Sequence, residues 1–112
     1  MEITNTLNTG NETMEIAKNI MTQLGGNRLQ AMIGAYNFVA ETNGNYLRFR
    51  FKGSRKFNMV TITLNALDTY DIEFQKYSPS KFTTTTVENF EGAYADMLVS
   101  VFENTTGLYL SI

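Results

Sequence analysis

The alternation of apolar and polar positions is clearest between Asn45 and Lys76, where it has a period of two. Leu47, Phe49 and Phe51 alternate with Tyr46, Arg48, Arg50 and Lys52. Val60, Ile62 and Leu64 alternate with Met59, Thr61 and Thr63, and Tyr70, Ile72 and Phe74 with Asp71, Glu73 and Gln75. Successive side chains of a strand point to opposite faces, so the pattern predicts three strands, at 46–52, 57–64 and 70–76, each with one face in a core. Gly53-Ser54 and the stretch from Asn65 to Asp68 supply the turns of a meander, and the lone Pro79 in Tyr77-Ser78-Pro79-Ser80 ends it. Threonine-rich 82–87 reads as a short edge strand.

On either side of the meander the period changes. Ile16, Ile20, Met21 and Leu24 recur at helical spacing, with Asn11 or Thr13 available as a cap, Glu12 and Glu15 in the first turn, and Gly25-Gly26 as the stop. These predict a helix over 12–24. Phe90, Tyr94, Met97, Leu98, Val101 and Phe102 predict a second helix over 89–103, closed by Asn104-Thr105-Thr106-Gly107. An apolar tail, Leu108-Tyr109-Leu110, then folds back on the core. The stretch 28–39 fits both periods. A strand bent or bulged near Gly34 is favoured, because Gly25-Gly26-Asn27 turns the chain after a helix and Asn43-Gly44 is a hairpin turn before the next strand.

The resulting fold class is α+β, in the order α-β-β-β-β-(β)-α. Two helices pack on one face of a four- to five-stranded, mainly antiparallel sheet whose other face is partly open. At 112 residues the chain makes one domain, 12–112, behind an Asn- and Thr-rich segment, 1–11, expected to be flexible. Composition agrees, with 43% hydrophobic residues, 18% charged residues and a mean hydropathy of -0.20. There is neither a membrane-spanning apolar run nor the basic and apolar start of a signal peptide, so a cytoplasmic protein without membrane contact is expected.

The sequence has no histidine and no cysteine. It therefore lacks the commonest general base, the commonest metal ligand and any thiolate chemistry, and a non-enzymatic binding protein is expected, without cofactor or metal. Asp71 and Glu73 share a strand face, as a magnesium site would require, but no third ligand or base stands near them. Gly25-Gly26-Asn27-Arg28 follows a helix and so reads as its cap, whereas a phosphate loop would lead into one.

Charge picks out one place. Net charge is -2, yet Arg48, Arg50, Lys52, Arg55 and Lys56 are five of the nine cations, gathered within nine residues. Beyond Lys81 there is no cation, while Glu88, Glu91, Asp96 and Glu103 are acidic. The candidate binding site is this basic hairpin: Arg48, Arg50, Lys52, Arg55 and Lys56 to meet phosphates, with Tyr46 to stack on a base. A solvated edge guarded by cations and a surface for an acidic protein are the competing readings. In an ordered meander the strand 57–64 separates the arginines from Asp71 and Glu73 by about 9–10 Å, so direct pairing does not cancel the patch. Candidate partners are DNA or RNA, another protein engaged by this chain as an accessory or inhibitory protein, and a second copy of the chain.

Several stretches carry a resemblance: Gln23-Leu24-Gly25-Gly26-Asn27-Arg28, Ala31-Met32, Gly34-Ala35, Asn37-Phe38-Val39, Thr69-Tyr70-Asp71-Ile72-Glu73-Phe74, Tyr94-Ala95-Asp96 and Thr106-Gly107-Leu108-Tyr109. In this order, over roughly 16–110, the chain resembles an uncharacterised family of small phage, prophage and mobile-element proteins. Ile33 and Tyr36 depart from it, standing where more polar residues are expected. The resemblance implies a genetic setting and little chemistry. The order helix, meander, helix is also similar to a double-stranded RNA-binding domain. That family starts its second helix with lysines, and here Glu88, Asn89 and Glu91 occupy the place.

Overall fold

A computed structural model describes residues 15–41 and 44–110. The expected flexible segment 1–11, the capping residues Asn11 and Thr13, and Asn43 of the expected hairpin turn lie outside the described residues. The elements are α1 (Glu15–Leu24), α2 (Arg28–Ile33), β1 (Tyr36–Val39), β2 (Tyr46–Arg50), β3 (Met59–Leu64), β4 (Tyr70–Ser78), β5 (Thr83–Ala93), a 3-10 turn (Ala95–Met97) and α3 (Leu98–Thr106). The five strands form one antiparallel sheet in the order β1-β2-β3-β4-β5. The fold is α+β, as the two periodicities imply.

The apolar row of each strand meets the helices on one face. Leu47, Phe49, Val60, Ile62, Ile72 and Phe74 are buried against Ala17, Ile20 and Leu24 of α1 and Leu98, Val101 and Phe102 of α3. Phe102 reaches both sides of this layer, its ring centroid 5.2 Å from Phe51 and 6.1 Å from Phe74. The C-terminal tail folds back as expected. Leu110 is buried, and its N–H donates to Glu103 Oε2 at 2.8 Å.

Two boundaries differ from the sequence reading. Residues 28–33, expected as strand, form α2, and only Tyr36–Val39 is strand. Gly34 makes the switch. Its φ of 63° is the left-handed conformation that ends helices, and the N–H groups of Gly34 and Ala35 return to the carbonyls of Gln30 and Leu29. The bulge falls three residues later. Asn37 (φ 53°) and Phe38 stand opposite Phe49 alone, because Tyr36 pairs with Arg50 and Val39 with Arg48. The extra residue turns Phe38 into the core, with its ring 5.3 Å from that of Phe49.

The second correction concerns 89–94. These residues were expected to open the last helix, but β5 runs to Ala93 and the helical turn begins only at Ala95. Phe90 pairs with Ile72 and Ala93 with Tyr70, so their spacing of three reflects a β-bulge at Gly92 (φ 77°), whose N–H donates to Asp71 Oδ1. Glu88, Asn89 and Glu91 therefore lie on a strand, and the comparison of that helix start with an RNA-binding domain has no counterpart in the fold. No helix of the described residues is long and apolar enough to cross a membrane.

Candidate nucleic-acid interface

The cations of the hairpin are mounted by the core beneath them. Phe51 and Phe57, both buried, pin the two ends of the connection between β2 and β3. Between them Ser54 Oγ accepts from the N–H groups of Lys56 and Phe57 at 3.3 Å, closing a tight turn that leaves Arg55 and Lys56 exposed. Lys76 Nζ donates to the Arg55 carbonyl at 3.3 Å, which adds a sixth cation to this end.

On the sheet face away from the helices, register fixes two rows: Val39, Arg48, Thr61, Glu73 and Asn89 in one, and Tyr36, Arg50, Met59, Gln75 and Thr86 in the other. Arg48 is half-buried, and its Nε donates to Thr61 Oγ1 at 2.9 Å. The Thr61 hydroxyl in turn donates to Gln75 Oε1 at 2.7 Å. Arg50 crosses β3 and lies over Tyr77, its guanidinium carbon 4.1 Å from the ring centroid. Lys52 Nζ is 5.4 Å from the ring centroid of Tyr36. Both distances fall within the cation–π range of about 6 Å. Under these long side chains Met59, Thr61 and Gln75 are buried, although their row points away from the helices.

The arginines thus spend their contacts on a hydroxyl and an aromatic ring. Glu73 lies one strand beyond Thr61 in the row of Arg48, at about twice the interstrand spacing, and accepts from Thr86 instead. Asp71 accepts from Asn65 Nδ2 at 2.9 Å and from the Gly92 N–H at 3.1 Å. Its carboxylate is committed to the turn and the bulge.

Beside Arg48 and Arg50 the face dips into a groove of about 360 Å³ walled by Asn37, Val39, Met59, Tyr77 and Thr84. That is the small end of the range, about 300–1,000 Å³, in which ligand-sized groups are held. No family model, curated protein or solved structure matches the chain.

The structure brings Arg48, Arg50 and Lys52 together on one face and sets Arg55 and Lys56 at its end. Tyr46 lies on the same face, in the row beyond Arg48 and opposite Thr63. The Tyr46 hydroxyl donates to Glu41 Oε1 at 3.3 Å, and burial, reinforced by that carboxylate, pushes the phenol's pKa up. The aromatic rings that do accompany the cations, Tyr36 and Tyr77, were missed. Tyr77 shares parity with Asp71, Glu73 and Gln75 and was legible as a continuation of that strand. Tyr36 was hidden in the stretch with two competing periods.

Proposed function

We propose that this chain is a small, non-enzymatic binding protein of phage or mobile-element origin that works in the host cytoplasm and holds single-stranded nucleic acid on the open face of its sheet. One observation carries the reading: Arg48, Arg50 and Lys52 line an open face with Tyr36 and Tyr77, and their contacts among the described residues are a hydroxyl and two rings, not carboxylates. Unpaired bases stack on such rings while neighbouring cations take the phosphates; paired bases offer no ring face. Tyr36, 38% exposed, is the more available stacking surface, because the Lys52 ammonium stands off its ring at 5.4 Å whereas Arg50 lies on Tyr77 at 4.1 Å. Arg55, Lys56 and Lys76 extend the phosphate track beyond the groove. The absence of histidine and cysteine supports binding over catalysis.

The test is fluorescence anisotropy with labelled single- and double-stranded DNA and RNA over a salt series. Single strands are expected to bind more tightly than duplexes. Each cation in contact contributes about 0.7 to the slope of log affinity against log salt for a single strand. Replacing the exposed trio Lys52, Arg55 and Lys56 by alanine should therefore flatten the slope by about 2, and Arg48→Ala with Arg50→Ala by about 1.4. Undetectable binding at low salt, or a slope that neither set changes, excludes the proposal.

A second reading, an accessory or inhibitory protein acting on a host or phage protein, is favoured by the exposed Phe82, Tyr94 and Tyr109. It is tested by whether a binding partner captured from lysate is lost on replacing these three residues by serine.

A further inference from the structure

The two edges of the sheet are unlike. β1 is four residues long and carries a bulge, which is how proteins protect an edge from pairing with another chain; β5 is bulged too, at Val87 and between Phe90 and Ala93, but its stretch Thr83–Thr86 is not. β5 has 11 residues, all exposed from Thr83 to Gly92, and among the described residues no strand covers its outer side. Positions 83–86 run in unbroken register with Ser78, Tyr77, Lys76 and Gln75, and they are four threonines without charge or proline. An open row of backbone N–H and C=O groups in a β-branched, uncharged segment is a template for another strand. Val87 (47% exposed) and Phe90 (38%) lie on the same strand, and Phe82 (85%) directly precedes it.

The charge layout identifies the occupant. Lys81, just before β5, is the last cation of the chain, and Glu88 and Glu91 lie towards the other end of the strand. The strand is a positive-to-negative element. Laid antiparallel on itself about a two-fold near Thr86, the Lys81 and Phe82 end of one copy comes beside the Phe90 and Glu91 end of the other, along about 35 Å of edge. Opposite charges meet at both ends, Thr86 meets Thr86 at the axis with Thr85 beside Val87, and the exposed aromatic residues flank the junction. A parallel arrangement would set like charges side by side. We infer that the outer edge of β5 pairs with β5 of a second copy, joining two sheets into one continuous ten-stranded sheet. The groove opens on the sheet face, with Thr84 of β5 as its wall nearest the edge, so pairing along the outer edge leaves its mouth on each copy facing solvent and does not require the nucleic-acid reading.

The mass of the full-length chain in solution, measured by sedimentation equilibrium from about 1 to 300 µM, tests this against the interface sizes and affinities of self-association. A concentration-dependent dimer is expected. Thr85→Lys with Val87→Lys, which puts like charges at the two-fold on exposed positions, should leave a folded monomer. Lys81→Glu should weaken the dimer by about three- to ten-fold through like-charge repulsion, and the swap Lys81→Glu with Glu91→Lys should restore it. Because the chain has no cysteine, Thr86→Cys reports directly: oxidation should give a covalent dimer, whereas Thr22→Cys on α1 should not. A parent chain monomeric at 300 µM overturns the inference. So does a dimer whose affinity the charge swap does not restore, or one that Thr86→Cys cannot trap.

Discussion

Thr61→Val tests the polar chain that ties the arginine face to the sheet. Thr61 and Gln75 are each 5% exposed, and among the described residues no buried side-chain nitrogen or oxygen lacks a hydrogen-bond partner. Valine has the shape of threonine, so the substitution opens no cavity. It removes the acceptor of Arg48 Nε and the donor to Gln75 Oε1 together. Stranding a buried polar atom costs about 1–3 kcal/mol, whereas Arg48, half-buried, can turn to water. The extra buried methyl returns about 0.8 kcal/mol, leaving a net loss of about 0.2–2 kcal/mol. Urea unfolding at constant m reads this as a lower midpoint. Gln75→Leu on top of Thr61→Val removes the stranded oxygen, so the double variant should be more stable than the sum of the singles by about 0.5–3 kcal/mol. Charge is unchanged, so the salt slope of nucleic-acid binding should stay as in the parent while affinity falls through the loss of Arg48 positioning. A Thr61→Val protein no less stable than the parent, or strictly additive singles, refutes the claim that this chain of bonds holds the face together.

Gly34→Ala forces a side chain into a φ of 63° and brings its Cβ to 3.2 Å from Lys52 Cδ. A loss of about 1–2 kcal/mol is expected from the backbone alone, and displacement of Lys52 should add a measurable drop in nucleic-acid affinity. Unfolding titrations and anisotropy on the one protein check both. Tyr46 supplies a pH signature. Its phenol is raised by burial and by Glu41, so the neutral form is favoured in the fold. The stability it contributes is complete below the unfolded value of about 10 and is lost as pH rises through the folded value. The stability advantage of the parent over Tyr46→Phe should therefore shrink between pH 9 and pH 11 in parallel denaturations. An advantage that stays constant would mean that the hydroxyl is not held as described.

The meander was legible because its strands satisfy two constraints at once. Val60, Ile62, Ile72 and Phe74 had to share a face by parity, and turn residues bounded each run, so strand identity and inward face followed together. Residues 28–39 failed that test for a physical reason. Leu29, Ile33 and Phe38 all reach the same core, but the first two do so from a helix and the third from a bulged strand. One face was being filled by two periods in succession. The junction at Gly34 is a left-handed backbone position that no spacing rule reveals. Residues 89–94 misled in the opposite way. A bulge inserts one residue into a strand, which changes a spacing of two into a spacing of three, and Phe90 and Ala93 then imitate one turn of helix.

The candidate site was half legible for a related reason. Sequence parity places Arg48, Arg50 and Lys52 on one face, and strand order keeps Glu73 one strand beyond Thr61, but neither says what a long side chain does once it is there. A guanidinium without a carboxylate neighbour needs another partner, and the groups within reach across β3 are Thr61 for Arg48 and Tyr77 for Arg50. These contacts hold the two arginines in place while leaving their charge uncancelled. A pair of salt bridges to Asp71 and Glu73 would have produced a neutral, closed face from the same residues. Strand order keeps both carboxylates off the arginines, and each has other partners, Asn65 and Gly92 for Asp71 and Thr86 for Glu73. Asp71 stands in the row of Thr63 and Tyr46, beyond both arginine rows, and the N–H of the Gly92 bulge holds its carboxylate at that end of the sheet.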